Sequence, residues 1–140
     1  MAQAPALSWL PTDGEWRNRL RRWRAAGDTN WDAAVALAGA RLDFVQTNAL
    51  DEAVRTVFAG APPAGLATKP LRLAILGSAT QAHLHASIRV AALRRRMWVS
   101  TYENDFGQYW HELSDTGSPL YAFEPNVVPG FANCGWFMAL

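Results

Sequence analysis

The sequence predicts an α/β fold in which a helical N-terminal section is followed by an incomplete parallel sheet of three strands. Three observations predict it. Residues 1–60 carry helical periodicities. The stretch "GAPPAGLATKP" then combines three prolines with two glycines, a composition that resists both helix and sheet pairing. Beyond it the pattern changes to strand, helix, strand, which reads as a βαβ unit with its two strands parallel. The predicted organisation is a helical section over 1–60, a linker over 61–70, a partial α/β domain over 71–128 and an apolar tail over 129–140.

In "LPTDGEWRNRLRRWRAAGD", Thr12 and Glu15 have the spacing of a capping box, so a helix is expected to start there. Trp16, Leu20 and Trp23 form its apolar stripe, and Arg17, Arg21 and Arg24 repeat that spacing on another face. Gly27 should end it. A second helix is predicted from Asn30 to Ala40, with Trp31, Ala34, Val35, Leu37 and Ala38 on its apolar side. In "LDFVQTNALDEAVRTVFAG", Asn48 precedes Asp51 by three residues, and Leu50, Ala53, Val54, Val57 and Phe58 keep helical spacing. Leu42, Phe44 and Val45 read either as a link or as the buried start of this third helix.

The apolar run Leu71–Leu76 reads as a strand, Thr80–Arg95 as a helix and "MWVSTY", Met97–Tyr102, as the second strand. Gln108–Leu113 has a short helical pattern, and Ser118-Pro119 resembles an N-cap with proline at the first helical position. Asn126–Val128 opens a third strand, which Pro129 and Gly130 are expected to stop. An unpaired apolar strand edge in such a sheet predicts self-association.

With 13 basic and 12 acidic residues the net charge is +1, which gives no global electrostatic basis for binding nucleic acid or an anionic membrane. The seven tryptophans fall mostly at amphipathic helical positions or in the apolar tail, so core packing accounts for them better than base stacking. A lone cysteine, Cys134, offers neither an internal disulfide nor a CxxC zinc pair, and a reducing, cytoplasmic setting fits best. The uncharged stretch after Glu124 is interrupted by prolines and glycines and is too short to span a bilayer, so no membrane span is expected.

The candidate site is Gly77-Ser78, at the carboxyl end of the first strand and the start of a helix, where open α/β sheets bind ligands. Backbone N–H groups there could hold an oxyanion or phosphate, and Ser78 could act as a nucleophile beside a base. The same residues also describe a tight turn with Ser78 or Thr80 as N-cap. Neither a GxGxxG nor a GxxxxGK[ST] fingerprint is present. Glu103, Asn104 and Asp105 follow the second strand, so they belong to the same sheet edge as ligand-orienting groups or as a polar turn. His83 and His85, two apart on a helix, point to different faces and do not share a metal. His111 is a base for Ser78 only if the fold brings the two together.

The segments "LSWLP", "LAGARLDFVQTNALDEAV", "LRLAILGSAT" and "AALRRRMWVSTYENDFGQYWHELSDTGSPLYAFEPNVV", in that order over residues 7–128, resemble the amino-terminal part of FkbH-like proteins. The resemblance implies a flavodoxin-like, SGNH-hydrolase-like Rossmannoid sheet, joined in that family to a haloacid-dehalogenase-type domain. It implies a role in moving a glyceryl group from a phosphorylated three-carbon glycolytic intermediate onto an acyl carrier protein, as in polyketide biosynthesis. By the same resemblance Ser78 takes the serine position of the first SGNH-like block, Gly77 precedes it, and the loop Glu103–Tyr109 borders the cleft. The family's Mg²⁺ and phosphoryl chemistry needs an Asp-x-Asp-x-Thr segment, and no Asp-x-Asp occurs in this sequence, so no cofactor is expected in this chain.

After Val128 the resemblance ends, and "PGFANCGWFMAL" suggests a truncated or frame-shifted reading of a longer gene. The expected function is therefore that of a fragment accessory to glyceryl loading and inactive alone. Two alternatives remain: an SGNH-type esterase using Ser78 with His111 or His83 as base, and an interaction module whose Arg17, Arg21 and Arg24 face docks an acidic carrier protein.

Overall fold

The computed structural model describes residues 7–77, 82–105, 107–132 and 135–139. Three helices come first: α1 (Trp16–Ala26), α2 (Trp31–Ala38) and α3 (Phe44–Val57). The Thr12–Glu15 capping box does not form. Instead Asp13 Oδ1 accepts from the Glu15 backbone N–H at 3.0 Å, a turn just ahead of the helix, and the N-cap position, Glu15, makes no side-chain capping bond. Gly27 closes α1 at φ 61°, a left-handed conformation that a residue without Cβ adopts at little cost. Asn30 caps α2, its side chain accepting from the Ala33 N–H. The third helix starts at Phe44, ahead of Asn48, because Asp43 and Gln46 form a reciprocal capping box. Phe44 and Val45 thus begin a helix, yet they stand in solvent at 64% and 61% exposure rather than in the core.

The sheet holds β1 (Leu71–Gly77), β2 (Val99–Glu103), β3 (Val128–Ala132) and β4 (Gly135–Ala139) in the order β2-β1-β3-β4. β1 runs parallel to both β2 and β3, giving the three parallel strands expected. α4 (Ala82–Arg94) connects β1 to β2, and α5 (Tyr109–Ser114) and α6 (Pro119–Phe123) connect β2 back past β1 to β3. Strand alternation separates the two faces. Thr101 of β2 meets His85 and Arg89 of α4, whereas Tyr102 turns the other way, onto Glu112 of α5 and Phe123 of α6. Helices therefore cover both faces of the parallel strands, and the strand order 2-1-3 is that of a flavodoxin-like sheet.

Two findings depart from the sequence reading at the third strand. Pro129 does not stop it: β3 continues through Ala132 and turns back as the antiparallel β4, so the apolar segment after Val128 pairs within the sheet. Proline instead interrupts one ladder. The chain bridges to β1 at Val127, just before β3, opposite Leu73, and β3 pairs again at Gly130 and Phe131; pairing lapses between them, where Pro129 has no N–H to donate.

The main core joins the helical section to the α/β unit. Trp16, Leu37, Leu50, Ala53 and Phe58 pack in one cluster with Val90 and Leu93 of α4 and with Trp98. A smaller cluster on the opposite face gathers Ala74, Leu76 and Leu120 with Tyr102 and Phe123. Side chains also close the C-terminal end of α2, whose last carbonyls have no intrahelical partner. The Trp16 indole N–H donates to Leu37 O at 2.9 Å, and Arg94 Nε donates to Ala38 O at 2.7 Å. Burial of the Arg94 guanidinium lowers its pKa from the usual arginine value.

Candidate functional site

In a 2-1-3 sheet the ligand crevice lies outside the carboxyl ends of the strands where successive connections leave in opposite directions, here β1 and β3. Ser78 and Thr80 belong to the segment that follows β1 there, and both lie outside the described residues. Gly77 is buried at the strand end. Asn104, also buried, spans to it: its Oδ1 accepts from the Gly77 N–H at 2.9 Å and its Nδ2 donates to Gly77 O at 3.1 Å. The same Nδ2 donates to Asp105 O at 2.7 Å. The amide thus takes the place of a next rung between β1 and β2, whose register would bring Gly77 level with Asp105. Its donors and its acceptor are engaged in holding two strand ends together. Asp105 is exposed beside it.

Glu103 ends β2, with its carboxylate 3.6 Å from His85 Nε2. Behind this pair runs a buried polar chain. Asp51 of α3 accepts from Arg89 Nε at 2.7 Å and Nη2 at 2.8 Å, a bidentate geometry, and Arg55 approaches the same carboxylate at 3.2 Å. Arg89 Nη1 donates to Thr101 Oγ1. The same hydroxyl lies 2.7 Å from His85 Nδ1, donating to it where Nδ1 is bare and accepting from it where Nδ1 carries the proton. The other ring nitrogen, Nε2, is buried on the Glu103 side, 3.6 Å from the carboxylate and beyond hydrogen-bond distance of it. Burial lowers the His85 pKa, with the Arg89 charge acting in the same sense and Glu103 and Asp51 opposing.

On the other face, Tyr102 donates to Glu112 Oε2 at 2.6 Å. Burial, and next the bond to the Glu112 carboxylate, raise its pKa well above the usual phenol value.

His83 and His111 are exposed on α4 and α5, and among the described residues neither ring pairs with a carboxylate. Arg17, Arg21 and Arg24 are exposed along α1, with Arg24 3.9 Å from Glu52. Among the described residues no cluster of three or more His, Cys, Asp or Glu side chains is arranged to hold a metal ion, and no helix is long and apolar enough to cross a membrane.

Sequence reasoning missed the chain from Asp51 to Glu103. Its signal was available: Asp51 sits within the apolar run Leu50, Ala53, Val54, and Arg89 follows His85 by four residues, on one helix face. An acid in a buried stripe needs a cation brought from another element.

The fold and this edge define an α/β protein with a flavodoxin-like strand order and a polar carboxyl rim. No family model and no curated protein matches the chain. One solved structure is similar, the N-terminal part of the protein BF1531 from Bacteroides fragilis, which contains a phosphatase domain and is complexed with Mg. The likeness covers 45% of this chain and 17% of that one, at 25% identity and a TM-score of 0.43.

Proposed function

We propose that this chain is the amino-terminal module of an FkbH-like protein, accessory to loading a glyceryl unit from a phosphorylated three-carbon intermediate onto an acyl carrier protein, and inert as a catalyst by itself. The ordered motifs over residues 7–128 support the family. The observation that carries the accessory role is the state of the carboxyl rim: the Asn104 amide is engaged with Gly77 and Asp105, and the described histidines near the strand ends are either locked inside, as His85 is, or exposed without a carboxylate. A serine nucleophile needs a base held by a third group. Phosphoryl chemistry with Mg²⁺ needs paired aspartates; the sequence has no Asp-x-Asp, so the residues present do not fit that metal.

The test incubates the purified chain with the phosphorylated donor, Mg²⁺ and a phosphopantetheinylated carrier protein, and reads the carrier by mass spectrometry and its association with the chain by calorimetry. Binding without a glyceryl mass increment is expected. A glyceryl-loaded carrier would remove the claim of inertness, and absence of binding would remove the accessory role. A chromogenic ester assayed with wild type and Ser78→Ala separates the esterase reading: serine-dependent turnover would establish it.

A further inference from the structure

The three arginines of α1 do not form a flat patch. Arg17, Arg21 and Arg24 line one wall of an open groove between α1 and α3, with Leu20, Val45 and Ala49 supplying apolar surface and a volume of about 450 Å³. Among the described residues Arg17 and Arg21 have no ion pair, and the contact of Arg24 with Glu52 at 3.9 Å joins two side chains that are 52% and 65% exposed. The shoulder on the α3 side is apolar in an unusual way, because Val45 and the neighbouring Phe44 are the first-turn residues that stand exposed. The groove therefore pairs a row of cations with an unburied hydrophobic edge.

We infer that this groove docks an amphipathic helix of a partner protein, with acidic residues along one flank and an apolar edge set between α1 and α3. The spacing selects the occupant. Guanidinium groups at i, i+4 and i+7 extend over roughly 10 Å of helix axis, two turns, and match carboxylates repeated at the same period on a second helix. A single small carboxylate would engage one arginine and leave the others unused. A bilayer surface would meet Phe44 and Val45 at the rim and leave the half-buried Leu20 and Ala49 of the groove unused. The inference rests on the groove and not on the proposed role in loading, so the titration below can fail while the carrier assay succeeds.

The probe is a fluorescein-labelled, lactam-stapled 18-residue helix of leucine and glutamate, with leucines on one face and glutamates flanking them, titrated by anisotropy with the full chain. Saturable binding is expected. It should weaken at least tenfold in Arg17→Glu/Arg21→Glu, at least threefold in Val45→Asp, and on raising salt from about 50 to 300 mM, as exposed charge pairing requires. These side chains are exposed, so the urea midpoints of the variants should match wild type; Arg17→Gln/Arg21→Gln serves if the double reversal unfolds. The inference is overturned by no binding at low salt, by equal binding of a scrambled peptide of the same composition, by binding indifferent to the variants, or by phosphatidylglycerol vesicles displacing the peptide.

Discussion

The Asp51–Arg89 pair should behave as a buried unit, and a double-mutant cycle measures it. The Asp51 side chain is 5% exposed and that of Arg89 19%, with two hydrogen bonds between them of 2.7 and 2.8 Å. Arg89→Met removes the bidentate partner and leaves the carboxylate with Arg55 alone, which is itself 56% exposed at 3.2 Å. Breaking one side of a buried pair costs about 3–5 kcal/mol, and the remaining Arg55 contact sets the expectation near the lower end, ~3 kcal/mol. Asp51→Leu strands the guanidinium of Arg89, still bonded to Thr101, at a similar cost of ~3 kcal/mol. Asp51→Leu/Arg89→Met removes both charges and should return to within ~1 kcal/mol of wild type, because a dry apolar pair avoids the desolvation of two ions. Urea unfolding followed by tryptophan fluorescence reads these values. With a slope of ~2 kcal/mol per molar, each single variant should move the midpoint down by ~1.5 M. Additive single effects, or single costs below ~1 kcal/mol, would show that the pair is solvated and would refute the buried-unit account.

Three further outcomes are expected. Asn104→Ala leaves both backbone groups of Gly77 without their partner at a buried strand end, at a cost of ~2–4 kcal/mol, and hydrogen exchange at 76–77 should accelerate; unchanged exchange would contradict the strand-clamping role. Trp16→Phe removes the indole donor from Leu37 O in the core, at ~1–3 kcal/mol or a melting point lower by roughly 3–10 °C by circular dichroism, and an unaltered melting point would show the carbonyl finds another donor. His85 has a folded pKa below its ordinary 6.5, so the unfolded chain takes up the proton first as pH falls; its contribution is intact above about 6.5 and is lost below it, at up to ~1.4 kcal/mol per pH unit. His85→Gln should flatten the stability curve between pH 7.5 and 5.5, and a curve parallel to wild type would exclude His85 as its source.

Much of the fold was legible because local chemistry and periodicity agreed. The stripe of Trp16, Leu20 and Trp23, a second helix opening at Asn30, and proline following Ser118 all occur where the sequence predicts them. Misreadings arose where two local signals competed. Thr12 matches a capping box, yet Asp13 is the residue whose oxygen reaches the backbone. Phe44 and Val45 read either as a link or as a buried helix start, but Asp43 and Gln46 start the helix there with both side chains outside the core. Pro129 reads as a strand stop because it lacks a donor; extended backbone continues past it through pairing with β4, a contact invisible to any local window. At the carboxyl rim, the grouping of Gly77 with Glu103 and Asn104 was legible from strand, helix, strand order alone. That Asn104 closes on Gly77 was not, since it depends on a register of 28 residues' offset between β1 and β2.

The helical section and the sheet are interdependent through α4. That helix directs Val90 and Leu93 toward the cluster built by α1, α2 and α3, while His85 and Arg89 bond Thr101 on the sheet. Its C-terminal residue ties it to the helical section again, because Arg94 satisfies a terminal carbonyl of α2. Without the helical section the apolar face of α4 and Trp98 would be exposed, and Arg89 would lose the carboxylate that orients it. Thr101 Oγ1 would then lose a donor held in place by Asp51 and keep His85 Nδ1 as its neighbour. The polar contacts behind the Glu103 rim therefore reach back to an aspartate 52 residues earlier in the chain, and a reading of the site that begins at Leu71 omits it.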